Sequence, residues 1–275
     1  MENLLADVEA LVLGLAPAAA VFALLALVLK RRRILSALRN SWRETLTNLG
    51  LIALSSIVLG AAFHFVEQNA SAHLALFPQL AATWDALPQV WLLVLALLID
   101  DFIVYWRHRF EHMPLWWPVH AVHHSDEAIT WLTLQRKHPL GKLLGLLVDA
   151  APLIILGFPL WVIAASAFIR TWWGYFIHAD LPWTLGPLGR VLLSPAAHRM
   201  HHIDDEELMG RNYGGFFTLW DRVFGTWDDA AEHVGCRTGI AGGSKHLGGE
   251  LLRPFAAWFG KPAKPPASGQ AQAEA

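Results

Sequence analysis

Residues 8–29, VEALVLGLAPAAAVFALLALVL, form an apolar run whose one charge is Glu9. About 20 apolar residues cross the hydrocarbon core of a bilayer, and backbone inside lipid must satisfy its own hydrogen bonds. The run therefore dictates a membrane helix. A cleaved signal peptide has a basic flank and a shorter core, whereas this N-terminus is acidic. Lys30, Arg31, Arg32 and Arg33 follow at once, then Arg39 and Arg43. Residues 46–66 read as a second span, and the connection from Glu67 to Asp85 holds no Lys or Arg. Positive charge collects on cytoplasmic loops, so the 30–43 loop is expected in the cytoplasm and the 67–85 loop outside. A third span, about 86–106, then runs back inward. The apolar tract from about Leu143 to Ile177 is interrupted by Gly157 and Pro159. It is expected to be a hairpin of two short helices that dips into the membrane and returns to the same face.

Composition agrees with this reading. Charged residues are 16% of the chain and there are 14 Trp, against roughly 25% charged in an average soluble domain. Tryptophan is the residue of membrane interfaces. The net charge of -2 gives no general attraction to nucleic acid. The single cysteine, Cys236, rules out an internal disulfide and any cysteine-based zinc or iron–sulfur framework. The expected fold is all-α: an integral membrane helical bundle of three spans plus a membrane hairpin, with a cytoplasmic helical cap over residues 190–260. Residues 1–94 are assigned to N-terminal transmembrane helices and 95–260 to a second domain. Residues 261–275, rich in Pro, Ala and Gln, are expected to be a disordered tail.

Histidine is concentrated where the spans end. Ten of the 14 histidines lie between positions 108 and 202. His108 and His112 are one helical turn apart and share a face with Asp101 and Tyr105. Asp101 is placed to orient a ligand histidine through its second ring nitrogen. Two H-x-x-H-H boxes follow, His120, His123, His124 and His198, His201, His202. On a helix the first and second histidines of each box fall on one side and the third points about 100° away. Two such boxes on separate helices can build a cage for two metal ions. Imidazole suits iron, zinc, copper and nickel alike. His178 ends the apolar tract just before Asp180, and His138 lies in Arg136-Lys137-His138-Pro139. Isolated histidines such as His64, His73, His233 and His246 read as ordinary core or surface residues.

These residues carry a pattern that resembles the fatty acid hydroxylase / sterol desaturase superfamily of membrane di-iron enzymes. The matching elements run from Asp101-x-x-x-Tyr105-x-x-His108-x-x-x-His112 through His120-x-x-His123-His124-Ser125 and Arg136-x-His138-Pro139. They continue with Phe176-x-His178-Ala179-Asp180, Pro195-x-x-His198-x-x-His201-His202, Asn212-Tyr213-Gly214 and Trp220-Asp221-x-x-Phe224-Gly225-Thr226. The resemblance implies two iron ions, O2 as co-substrate, and hydroxylation or desaturation of a lipid C–H bond, the lipid being fatty acyl, sterol or related. It assigns metal-ligand roles to His108, His112, His120, His123, His124, His138, His178, His198, His201 and His202. Asp101, Tyr105, Asp180 and Asn212 are expected around them. One departure is Gly174, where some members of the family place a further histidine.

The sequence has no Rossmann glycine pattern, no ferredoxin cysteines and no haem domain, so a separate electron donor is expected. A ferredoxin, or a b-type cytochrome with its reductase, fits that role. The expected location is a bacterial inner membrane, with the active site on the cytoplasmic face. The alternative is a membrane metal-binding or transport protein without oxidoreductase activity. Transport would place ligands near the bilayer midplane, whereas these histidines cluster beyond the span ends.

Overall fold

The computed structural model describes residues 2–73, 76–205 and 207–260. The disordered tail expected at 261–275 lies outside the described residues. Among these, regular structure is helical, with two isolated β-bridges, Leu192 with Phe217 and Ile203 with Thr238.

Helix α1 (Glu2–Lys30) is followed by α2 (Ile34–His73). They are separated at Arg31–Arg33, where Arg31 takes the left-handed value φ 44°. Consecutive arginines cannot continue into hydrocarbon, so the chain breaks where its charge begins. The short α3 (Ala81–Ala86) precedes α4 (Gln89–Glu111). Pro88 starts α4, and Leu92, Ala96, Leu97, Asp100, Asp101, Val104, Tyr105 and His108 are buried along it. Their three- and four-residue spacing is the inner stripe of a packed helix. Three helical stretches are long and apolar enough to cross a membrane: Leu11–Gly60, which contains parts of both α1 and α2, Gln89–Glu111 and Leu160–His178. The chain is a helical membrane protein.

Helix α5 (Trp117–His124) leads to the hairpin, whose first limb is α6 (Pro139–Val148) and α7 (Ala151–Ile155) and whose second is α8 (Leu160–His178). Gly157 turns the chain at φ 70° and Pro159 caps α8. The hairpin reaches deeper than a shallow dip. The amides of Leu76 and Phe77 donate to Ile155 O at 3.0 and 3.2 Å. The Trp84 indole donates to Leu156 O at 2.8 Å, and its ring stacks on Phe158 at 4.4 Å. The turn thus sits against the α2–α4 connection, at the end of the bundle opposite the histidines. Leu92, Ala96, Leu153, Phe158 and Val162 form a core there.

The cap consists of short helices, α9 (Pro195–His201), α10 (Leu219–Val223) and α11 (Leu247–Phe259), joined by long loops. It sits on a core of Ile177, Leu193, Ala196, Ala197, Met200 and Ala230. Arg136, wholly buried, ties cap to bundle. Its guanidinium donates to Val122 O (2.7 Å), Glu44 (2.8 Å), Asn48 (2.9 Å), Ser125 (2.8 Å) and Glu250 (3.1 Å). One side chain therefore fixes α2, α5 and α11 together.

Candidate metal centre

Short helices hold most of the clustered histidines. His108 lies in the last turn of α4 and His112 at its C-cap. Helix α5 carries His120, His123 and His124, and His178 is the last residue of α8. Helix α9 starts at Ser194, whose hydroxyl accepts from Ala197 N at 3.1 Å, with Pro195 in its first turn. That start places His198, His201 and His202 over the ends of α4, α5 and α8.

The histidines gather into two groups. His108, His112, His120, His124 and His201 form one; His123, His178, His198 and His202 form the other. Within each group one nitrogen per ring lies within 4.8 Å of all the others. Each box is split between the groups. The first and third histidines of a box go together and the second goes to the other group, which reverses the pairing expected from the i, i+3 relation. Helix geometry explains it: residues four apart are offset by about 40°, residues three apart by about 60°.

Ring tautomers make the groups more than a crowd. A carbonyl oxygen only accepts, so a ring nitrogen bonded to one carries the proton. His108 Nδ1 donates to Tyr213 O at 2.8 Å and His201 Nδ1 to Arg211 O at 2.7 Å. Their Nε2 atoms, both left as lone pairs, face each other at 2.9 Å. His178 Nδ1 donates to Gly174 O at 2.7 Å and His123 Nδ1 to Arg136 O at 3.3 Å, and their Nε2 atoms meet at 3.3 Å. No hydrogen is available to join either pair. A cation between them resolves the repulsion, and a metal–nitrogen bond of about 2.0–2.1 Å suits such separations.

Charge points the same way. Burial, reinforced by neighbouring rings, holds His120, His123, His124, His198 and His202 well below the ordinary imidazole range. Burial brings His201 down to about 4. Neutral rings are metal ligands; protonated ones are not. Buried nitrogens without a hydrogen-bond partner include His112 Nε2 and both nitrogens of His202. The residues present therefore fit one metal ion per group.

The surroundings differ from expectation in several places. Asp101 touches no histidine; its carboxylate accepts from the amides of Gly215 (3.1 Å), Phe216 (2.7 Å) and Phe217 (3.0 Å). It anchors the cap loop because three consecutive amides satisfy a buried charge better than one ring. Tyr105 likewise bonds Thr226 Oγ1 at 2.9 Å rather than a ring. Asn212, at φ 55°, donates to Asp228 O at 3.1 Å and accepts from Asp228 N at 2.9 Å. It acts through its backbone turn, which aims the carbonyls of Arg211 and Tyr213 at His201 and His108. Asp180 is exposed and pairs with Arg199 at 2.8 Å and with Lys30, away from the rings. His138 stands outside both groups. Its Nδ1 accepts from Leu140 N at 3.1 Å as the cap of α6, and its Nε2 donates to Leu251 O at 3.2 Å. With both nitrogens engaged it has none to offer a metal. At Gly174 a Cβ would meet Leu134 at 2.9 Å, so Leu134 fills the space of a further side chain.

Glu111 was not singled out by sequence. It is buried, 3.4 Å from His120 Nδ1 and 2.7 Å from Arg107. Its signal was its place one turn beyond Arg107 on α4. A cavity of about 370 Å³ opens beside the groups, lined by His108, His120, His123, His178 and His198 at one end and by residues of α4, α6 and α8.

Residues 93–226 match the family model described as fatty acid hydroxylase. The chain is 32% identical over 178 residues to an ornithine lipid hydroxylase of Rhizobium tropici, covering 62% of this chain and 52% of that protein. It is 33% identical over 159 residues to an alkylglycerol monooxygenase of Danio rerio, covering 58% and 34%. It is 27% identical over 208 residues to a putative methylsterol monooxygenase of Dictyostelium discoideum, covering 73% of each. The chain spans about half the length of the first of these and a third of the second. No solved structure matches it.

Proposed function

We propose, from the premise that residues 93–226 belong to the fatty acid hydroxylase family, that this chain is a membrane-bound oxidoreductase that hydroxylates a C–H bond of a lipid. Two iron ions would be held by His108, His112, His120, His124 and His201 and by His123, His178, His198 and His202. The observation that carries the reading is the facing of unprotonated Nε2 atoms in both groups. The relatives named as acting on ornithine lipid, alkylglycerol and methylsterol support a lipid substrate.

The iron pair, when bound, supplies the oxidising power that an unactivated C–H bond requires. The protein does the rest. Carbonyls of Arg211, Tyr213, Gly174 and Arg136 hold four rings in one tautomer, and Glu111 faces His120 Nδ1. Burial excludes water from the rings, and the cavity offers a route for the reacting carbon to their edge. Hydroxylation with O2 consumes two electrons and two protons and yields one water. A separate donor, a ferredoxin or a b-type cytochrome with its reductase, supplies those electrons at the cap. In this reading the active site faces the cytoplasm from a bacterial inner membrane, residues 95–260 are the catalytic domain, and the Lys/Arg-rich 30–43 loop supports that side.

Metal analysis and lipid profiling test this together. Purified protein is expected to hold two irons per chain, and cells lacking the gene are expected to lose one oxygenated lipid. If His123→Ala and His201→Ala both left the iron content unchanged, the assignment would be wrong.

A further inference from the structure

The cavity wall carries more charge than an alkyl chain needs. Four basic residues, Arg107, Lys137, Lys142 and Arg170, line it with three acidic ones, Asp100, Glu111 and Asp149. The acids are taken up by the arginines. Arg107 bonds Glu111 at 2.7 Å and Asp149 at 2.6 Å. Arg170 reaches Asp100 at 3.0 Å and Asp149 at 3.6 Å. Among the described residues, neither lysine ammonium has a carboxylate within 4.0 Å or a hydrogen-bond acceptor. Lys137 still feels Glu111 and Asp149 at longer range, and Lys137 in turn acts on Lys142.

The helix around Lys142 is bare. Gly141 and Gly145, the first adjacent and the second three residues on, also line the cavity. A Cβ at Gly141 would press on Val119 at 3.3 Å. Gly141 packs on Val119 and Gly145 on the Asp149 carboxylate at 3.6 Å, so neither carries a side chain into the cavity, and Lys142 shares its wall with His120 and His123. A cation in a low-dielectric wall without a counter-ion is costly, and an incoming anion relieves that cost.

We propose that Lys142, assisted by Lys137, is an anion subsite of this cavity, so that the lipid carries a carboxylate or phosphate close to the carbon presented to the histidines. This deepens the lipid hydroxylase reading and rests on it. A neutral glycerol ether or sterol offers nothing to this subsite, and an amphiphile with an acidic head does.

The test uses iron-loaded full-length protein in detergent and follows tryptophan fluorescence during titration with short-chain lipids. Three heads are compared on one tail: an amino-acid carboxylate, a phosphate monoester and a neutral glycerol ether. One acidic head is expected to bind about tenfold more tightly than the neutral one, and the two acidic arms separate carboxylate from phosphate. Lys142→Met is expected to lose that preference and Lys142→Arg to keep it, both with wild-type iron content. Should Lys142→Met fail to fold, Lys142→Gln provides the same reading. The subsite is overturned if iron-loaded Lys142→Met or Lys142→Gln binds all three lipids like wild type, or if wild type binds the neutral lipid as tightly as the acidic ones. Absence of iron or of any oxygenated product would instead sink the hydroxylase reading, leaving head preference as a separate result.

Discussion

His108 and His201 present unprotonated nitrogens to each other because backbone carbonyls have fixed their protons on the far side. The candidate ligands were legible in the sequence because histidine spacing is a side-chain signal. Their orienting partners were not, since the carbonyls of Arg211, Tyr213, Gly174 and Arg136 leave no mark in residue type. Asn212 was the one visible trace, an asparagine where the turn needs a left-handed residue. Asn212→Ala is expected to cost at least about 1–2 kcal/mol from that conformation alone and to lower iron content. Asn212→Gly should recover part of the loss, and equal iron content in both variants would show that the turn does not orient the rings. Acid acts at the same scale. His201 is held near 4 in the folded protein, while the unfolded ring takes its proton near 6.5. The unfolded state thus binds more protons between these values. Stability is expected to be intact above pH 6.5 and to fall as pH drops toward 4, read by thermal melting in detergent. A melting temperature flat across that window would contradict the burial argument.

Among the elements, the boxes show how a small angular difference decides which rings meet. The sequence marked two short helices, but which metal each ring serves follows from the i, i+4 offset. Asp101 shows a different limit. Its position on the histidine stripe of α4 was visible, but its three amide partners lie more than 100 residues away. Asp101→Ala leaves those donors buried without an acceptor and is expected to cost about 3 kcal/mol or more. The measurement is the melting temperature, with iron content as second readout; an unchanged melting temperature would remove Asp101 as the anchor of the cap loop. The hairpin was readable from Gly157 and Pro159, though its depth was not, because depth depends on the contacts of Leu76, Phe77 and Trp84 with the turn. Gly157→Val forces a β-branched residue to φ 70° and should lower the melting temperature by an amount that Gly157→Asn largely avoids.

For the whole molecule, charge asymmetry and apolar runs were enough to expect a helical membrane protein. The Lys30–Asp180 pair joins the end of α1 to the end of α8, so both lie at the histidine end of the bundle. That end also carries the cap. In a Cys236→Ser background, Arg32→Cys and Glu207→Cys are expected to react with a membrane-impermeant thiol reagent from one side, and Asp85→Cys from the other. Labelling of Arg32→Cys and Glu207→Cys from opposite sides would break the proposed topology.

Each histidine group draws rings from both sides of the hairpin, from 108–124 and from 178–202. Neither is complete until the last box has left the ribosome. Metal capture therefore follows synthesis of the last box, when α9 closes over partners made some 80 residues earlier.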